Sequence, residues 1–260
     1  MNLTGKISKI EYLVWASCGM LIFLILWVGL SFRGFINPLF LPSPLLVVKA
    51  IGLLLSSGTL ITDTAASMGR ILLGCLVSLL VAVPLGIALG VSKRTEASVE
   101  PIVAFIRYIP PSAFIPLAII WLGIGESQKI LILFLGVAPY LTLLIADVVI
   151  NTKKDLIDAA LTLGATSFEL ITKVIIPNSL PGIWDSLRIM IGAAWTFVII
   201  AEIVGASSGL GHLMIQSQRF LRTDNIFAVI VIIGFLGLVT DYSFKVSYKF
   251  MFKWTEKANA

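Results

Sequence analysis

The chain has 260 residues, 58% of them hydrophobic and 13% charged, with a formal net charge of +5; its mean hydropathy is +1.02. Soluble domains are roughly half apolar and a quarter charged, so a water-soluble globule is excluded. The basic residues punctuate apolar runs instead of forming a patch, which sets nucleic acid aside and points to membrane topology.

Taken in chain order, residues 12–32 predict a first span. The run is long enough to cross and is closed by no A-x-A-like site, so it reads as a membrane helix and not a cleaved leader. Beyond Pro38, Pro42 and Pro44, residues 45–55 predict a short amphipathic helix lying outside the membrane. The second span is expected over 67–91, with Pro84 inside it and Lys93 and Arg94 after it. The third, over 100–122, is broken by Pro110, Pro111 and Pro116. A tight turn at 123–127 leads to a fourth span over 129–150, which contains Pro139. After a polar stretch at 151–181 come a fifth span over 183–205, a loop with Ser207, Ser208, Gly209 and Gly211, a short helix, a sixth span over 226–244 and a basic tail. About six helices of ~20 residues make an all-α integral membrane fold.

Orientation follows from lysine and arginine placement. With the N-terminus inside, one side holds Lys6, Lys9, Lys93, Arg94, Lys153, Lys154, Lys173, Lys245, Lys249, Lys253 and Lys257, and the other holds Arg33, Lys49, Lys129, Arg219 and Arg222. Eleven against five predicts both termini in the cytoplasm. Trp15, Trp27, Trp121, Trp184 and Trp254 fall near span ends, as an aromatic belt requires. Cys18 and Cys75 lie in apolar runs without a CxxC spacing and read as small core residues, not a disulfide.

The polar stretch is the most informative. Thr152 precedes Asp155 by three residues, and Thr166 precedes Glu169 by three, so each pair predicts a capping box. The first helix would carry Leu156, Ala159, Ala160 and Leu163, and Gly164 would interrupt it. The second would carry Phe168, Leu170, Ile171 and Val174, with Pro177 as its stop. Two readings fit such a hairpin: a pair of helices lying on the lipid surface, or a knob that docks into a partner. Ala159, Ala160 and Gly164 suit the second because small residues let another backbone approach.

The run Asp158-Ala159-Ala160, three residues, Gly164, nine residues, Val174-Ile175-Ile176-Pro177 resembles the EAA loop of binding-protein-dependent ABC importer permeases. Asp158 stands where that family has Glu, Val174 where it has Ile, and Ile176 where it has Leu. The resemblance extends over 64–245, with 1–63 an N-terminal segment and 246–260 a tail. Leu41-Pro42-Ser43-Pro44, Arg70 with Gly74, Pro84-Leu85-Gly86, Arg107 with Ile109-Pro110, Trp121-Leu122-Gly123-Ile124-Gly125, Trp195 ahead of Ala201-Glu202, Gly209-Leu210-Gly211 and Arg219-Phe220-Leu221-Arg222-Thr223-Asp224 are similar to the nitrate, sulfonate, taurine and bicarbonate branch. The last of these looks most like taurine and sulfonate permeases. The resemblance implies a type I permease core in the bacterial inner membrane. Its implied partners are a second permease copy, two cytoplasmic ATPase subunits that grip Asp158–Pro177, and an external solute-binding protein. ATP and magnesium would belong to the ATPases, leaving this chain without a cofactor. A small anion would be the cargo.

Charges inside spans cost roughly 2.5–3.5 kcal/mol on insertion scales and face a bundle interior or a water route. The candidates are Arg70, Arg107, Asp147, Arg188 and Glu202. Arg188 is expected to pair with Asp185, Asp147 to cap or snorkel, and Arg70 to anchor an outer interface or line a route. Arg107 and Glu202 lie deeper and read either as route residues or as structural ion pairs; on a route for anions, Glu202 needs a cationic partner. His212 is the sole histidine and cannot by itself build a metal site or a catalytic dyad.

No GxxxxGK[ST] phosphate loop occurs, since Gly5-Lys6 runs into Ile7, and HExxH and GxSxG are also absent. An intramembrane enzyme lacks a nucleophile–base pair here. A self-sufficient ion-coupled transporter would have only Asp147 and Glu202 as coupling acids and would leave the hairpin at 151–181 unexplained.

Overall fold

A computed structural model of the protein describes residues 8–32 and 36–255. Lys6, Arg33 and Lys257, used in the orientation count, lie outside the described residues. The described chain is helical throughout: α1 Lys9–Phe32, α2 Pro44–Ser56, α3 Thr59–Val91, α4 Lys93–Tyr108, a 3₁₀ turn Pro111–Phe114, α5 Ile115–Leu122, α6 Glu126–Ile150, α7 Lys154–Thr162, α8 Ser167–Glu169, a π turn Leu170–Ile175, α9 Ile176–Ile203, α10 Leu210–Arg219 and α11 Thr223–Met251. Five helices are long and apolar enough to cross a membrane, and six if the bent pair α4–α5 counts as one.

The chain divides into two compact units, one holding residues up to Leu60 with Met214–Ile230, the other Ile61–Leu213 with the residues from Val231 onward. In the first, the Trp27 indole N–H donates to the Pro42 carbonyl at 3.0 Å, and the Trp27 ring lies 6.0 Å from that of Phe227. The α1 window is otherwise unburied and apolar on all sides, a surface that suits lipid. Helix α2 starts where Ser43 accepts from the Leu46 N–H and proline fills the first turn.

In the second unit α6 is the centre, with Ile132, Leu133, Val137, Leu141 and Ile145 fully buried. Glycines let its neighbours approach. A Cβ on Gly74 of α3 would lie 2.6 Å from the Leu133 Cβ, and one on Gly86 would lie 2.7 Å from the Ile145 Cβ. This close backbone packing is a usual device of membrane helices, where no hydrophobic force drives helices together. Arg188 and the Trp184 indole N–H tie α9 to α11 through Asp241 at 3.4 Å and the Phe244 carbonyl at 3.3 Å. Arg188 is therefore nearer Asp241 than the expected Asp185, which lies at 3.9 Å.

Three expectations need correction. The third span does break at its prolines, with α4 and the following segment bent by 87°, but α3 begins at Thr59 and α11 runs from Thr223 to Met251, longer than the runs of apolar residues suggested. The capping box at Thr152–Asp155 does not form. The Thr152 N–H donates to the Val149 carbonyl at 3.1 Å, so this residue closes α6 instead of opening α7. Its side chain is buried, and α7 starts after Lys153 with no side-chain cap. Finally, Pro177 stops nothing. Ser167–Ile203 is one continuous helical rod of 37 residues. The π turn directly precedes the proline. The wider turn relieves the place where the proline ring and missing N–H would otherwise press on the carbonyl of Lys173.

Candidate functional site

The hairpin at one end of the second unit is built as follows. Gly164 has φ +80, and the Ala165 N–H reaches back to the Ala160 carbonyl at 3.0 Å, so α7 ends in a left-handed cap that any side chain would strain. Thr166 then caps α8 in the expected capping box: its hydroxyl accepts from the Glu169 N–H, and the Glu169 carboxylate accepts from the Thr166 N–H at 3.1 Å. Lys173 pairs with Glu169 at 2.8 Å one turn on. Asp158 and Ala159 are exposed and Ala160 is half-buried. Leu163 and Phe168 stand 88% and 75% exposed, far too open for residues of their size unless something covers them. Val174 and Ile176 are half-buried, and Pro177 is exposed on the rod. An open groove of about 390 Å³, lined by Gly90, Val91, Val149, Ile157, Leu170 and Ile175, lies between the hairpin and the ends of α3 and α6.

A rod of 37 residues is about 55 Å long at 1.5 Å per residue, against a hydrocarbon core of about 30 Å. Its first turns therefore project from the membrane while its last turns cross it. The second arm of the hairpin and a span are one continuous helix.

At the other end of the same unit lies a buried ion cluster. Arg70 is 5% exposed on α3 and Glu202 1% exposed on α9. The Arg70 Nη1 donates to Glu202 Oε1 at 2.7 Å and to the Ser208 carbonyl at 2.7 Å. Its Nε and Nη2 grip both oxygens of Glu126 at 2.6 and 2.7 Å, a fork that only arginine offers. Lys129 adds a contact to Glu126 at 3.2 Å. The start of α10 is capped by the same group: Asp63 accepts from the Gly209 N–H, the Ser67 hydroxyl from the Leu210 N–H, and Glu202 from the Gly211 N–H, at 2.8, 2.9 and 2.8 Å. Ser67 in turn donates to Glu202 at 2.7 Å. These N–H groups have no intrahelical partner, so the side chains satisfy them. Gly209 has φ +116, and a Cβ there would sit 2.5 Å from the Glu202 Cδ, so only glycine fits.

Arg70 and Glu202 are thus brought together, and Arg70 is the cation that Glu202 required. Arg70 anchors no exposed interface; it is the buried hub of a cluster whose outer edge, Glu126, reaches the surface. Arg107 lies apart. Its Nη2 meets the Tyr108 hydroxyl at 3.1 Å, and its guanidinium carbon lies 4.9 Å from the centroid of the Tyr108 ring and 5.9 Å from that of Tyr140. Asp63, Ser67, Glu126, Lys129 and Ser208 were not singled out from sequence. A signal existed for the first two: with Arg70 they fall at i, i+4 and i+7 of α3, a polar stripe on an otherwise apolar helix. Cys18 and Cys75 are both free thiols. Among the described residues no group of three metal-ligating side chains converges.

Known proteins carry the same architecture. The profile of the family described as binding-protein-dependent transport system inner membrane component matches residues 82–256. A probable ABC transporter permease of Brucella abortus is 40% identical over 220 residues, covering 84% of this chain and 87% of that protein. The taurine transport system permease TauC of Escherichia coli is 33% identical over 239 residues, covering 90% and 86%. The putative aliphatic sulfonates transport permease SsuC of Bacillus subtilis is 31% identical over 229 residues, covering 88% and 83%. Among solved structures, an inward-facing form of the MetNI methionine ABC transporter superposes with a TM-score of 0.68 at 22% identity, covering 75% of this chain and 96% of that one.

Proposed function

The chain belongs to the binding-protein-dependent transport system inner membrane component family, and on that premise we propose that it forms the route by which a small anion, of the sulfonate, nitrate or bicarbonate class, enters the cell. It is a multi-pass permease subunit of the bacterial inner membrane and not an enzyme; ATP hydrolysis resides in partner subunits. The anion class rests on the similarity to TauC and SsuC, whose names specify taurine and aliphatic sulfonates. An extracytoplasmic solute-binding protein would deliver the anion, and a second copy of this chain would complete the pore.

The observation that carries the reading is the exposed hairpin fused to a span. Two cytoplasmic ATPase subunits would each hold one hairpin on its exposed face, at Asp158, Ala159, Ala160 and Gly164. Val174, Ile176 and Pro177 lie on the rod that would pass the motion inward. With α7 and the rod meeting at the left-handed cap of Gly164, closure of the ATPase pair would tilt the rod and open the route outward. A lipid-surface role for the hairpin predicts no need for a partner, so the two readings separate in one experiment. Ala159 is exposed, so Trp there displaces no buried side chain. Co-purification of the ATPase subunits with Ala159→Trp is expected to fall at least tenfold against wild type, with loss of solute-stimulated ATP hydrolysis. Wild-type recovery and stimulation would overturn the docking face.

A further inference from the structure

We propose that Arg107, with Tyr108 and Tyr140, forms an anion-selecting station midway along the translocation route. The inference rests on the anion-import reading above and assigns it a place in the chain.

Depth comes from two independent measures. Arg107 is fourteen residues beyond Lys93, the start of α4, or about 21 Å along a helix. Tyr140, whose ring it approaches, is fourteen residues into the 25-residue α6, about 21 Å from one end and 15 Å from the other. Both put the guanidinium inside the hydrocarbon core of about 30 Å, about 9–15 Å from the nearer face.

Its bonding sets it apart. Of the three arginines in or near spans, Arg70 holds Glu126 and Glu202, and Arg188 lies beside Asp241 and Asp185. Among the described residues no carboxylate lies within salt-bridge distance of Arg107. One of its N–H groups reaches the Tyr108 hydroxyl, while its buried Nε has no acceptor. A guanidinium at this depth with a free donor and two aromatic walls is a cation awaiting a counter-ion. Its fork geometry matches the paired oxygens of a small oxyanion.

The backbone beside it points the same way. Helix α4 ends at Tyr108, and Pro110 and Pro111 bring no N–H to continue it. Tyr108, Pro110, Ser112 and Ala113 are exposed at the 87° break. Irregular backbone at membrane depth is tolerated where it is covered by protein or lines water. This chain leaves the break uncovered, as a water-filled route between permease copies requires. The arginine thus stands where a hydrated anion can reach it, and a single unreinforced cation holds such an anion weakly enough to release it.

The test uses the whole importer, purified with its own ATPase and binding protein and reconstituted in liposomes, with radiolabelled taurine, ethanesulfonate, nitrate and bicarbonate as probes. Arg107→Gln is expected to keep complex yield and binding-protein-stimulated ATP hydrolysis within about twofold of wild type while uptake per ATP falls at least tenfold; Arg107→Lys recovers part of the uptake. Uptake per ATP unchanged in Arg107→Gln, with the wild type active, overturns the station and leaves the anion reading standing. Loss of complex yield in both variants assigns Arg107 to folding and also overturns it. No uptake of any of the four anions by the wild type overturns the anion reading itself.

Discussion

Removing Glu202 is the sharpest perturbation of the buried cluster. The carboxylate has no exposed surface and lies 2.7 Å from Arg70. At that distance, with an effective dielectric near 20, the attraction is about 6 kcal/mol, most of it spent on desolvating the two ions. The cost of breaking the pair is set instead by what is left behind. Glu202→Ala leaves Arg70 with Glu126 and the Ser208 carbonyl but strands the Ser67 hydroxyl and the Gly211 N–H. Each buried polar group left unsatisfied costs about 1–3 kcal/mol, so the two together cost about 2–6 kcal/mol. For a domain of this size each kcal/mol lowers the Tm by about 2–4 °C, so the expected fall is about 4–24 °C. Glu202→Gln keeps one acceptor but turns an amide NH₂ toward donors, and should fall between Ala and wild type. The double variant Arg70→Met with Glu202→Leu removes both buried charges, so it should be less damaged than the sum of the single variants by about 2 kcal/mol or more. Thermal unfolding of the detergent-solubilised importer reads these three variants and the single variants Arg70→Met and Glu202→Leu that complete the cycle. A Tm within 2 °C of wild type for Glu202→Ala, or additivity in the cycle, would refute the cluster as a mutually dependent unit.

Two further outcomes follow from local geometry. Gly209→Ala places a methyl group against the Glu202 carboxyl at a backbone angle that alanine avoids, and should cost about 2 kcal/mol or more in the same unfolding assay. Thr166→Ala removes the hydroxyl that caps α8 and should weaken the hairpin locally by about 0.5–2 kcal/mol; faster hydrogen exchange at residues 166–170 with an unchanged Tm is the expected signature, and unchanged exchange counts against the cap.

Apolar runs made the spans legible because the bilayer demands them, and the prolines at 110 and 111 announced the break. The Thr166–Glu169 box and the Gly164 cap were equally readable, since both depend on residues within five positions of each other. Thr152 misled because a capping pattern says nothing about burial: the threonine had already been claimed by the last turn of α6. Pro177 misled because proline stops a helix only where the backbone cannot widen ahead of it, and here a π turn does so. The ion cluster was out of reach for a different reason. Arg70 and Glu126 are 56 positions apart, and Arg70 and Glu202 are 132 apart. Glu202 also sits among apolar neighbours, which makes it look like an isolated membrane charge, while Glu126 opens the polar run Glu126-Ser127-Gln128-Lys129 and looks like part of a turn.

The placement of the two polar features on α9 gives the proposed mechanism its mechanical logic. The rod that starts at Ser167 is the same helix that delivers Glu202 near its far end. A push on the hairpin is therefore a push on Glu202, some 35 residues or about 50 Å away along a helix. Glu202 is not free to yield alone. Through Arg70 it is joined to the starts of α3 and α6, and through the Gly211 N–H to the start of α10. Breaking that cluster within each transport cycle would expose paired buried charges at a cost of several kcal/mol. Moving α3, α6 and α9 together costs none of it. The cluster thus favours motion of these helices as one body, with flexing left to elements it does not hold. The α4–α5 break is such an element: it carries Arg107 and shares no hydrogen bond with the cluster. If the hairpin drives the cycle as proposed, the rigid body is the part that transmits force, and the broken span is where the opening of the route is felt by the anion.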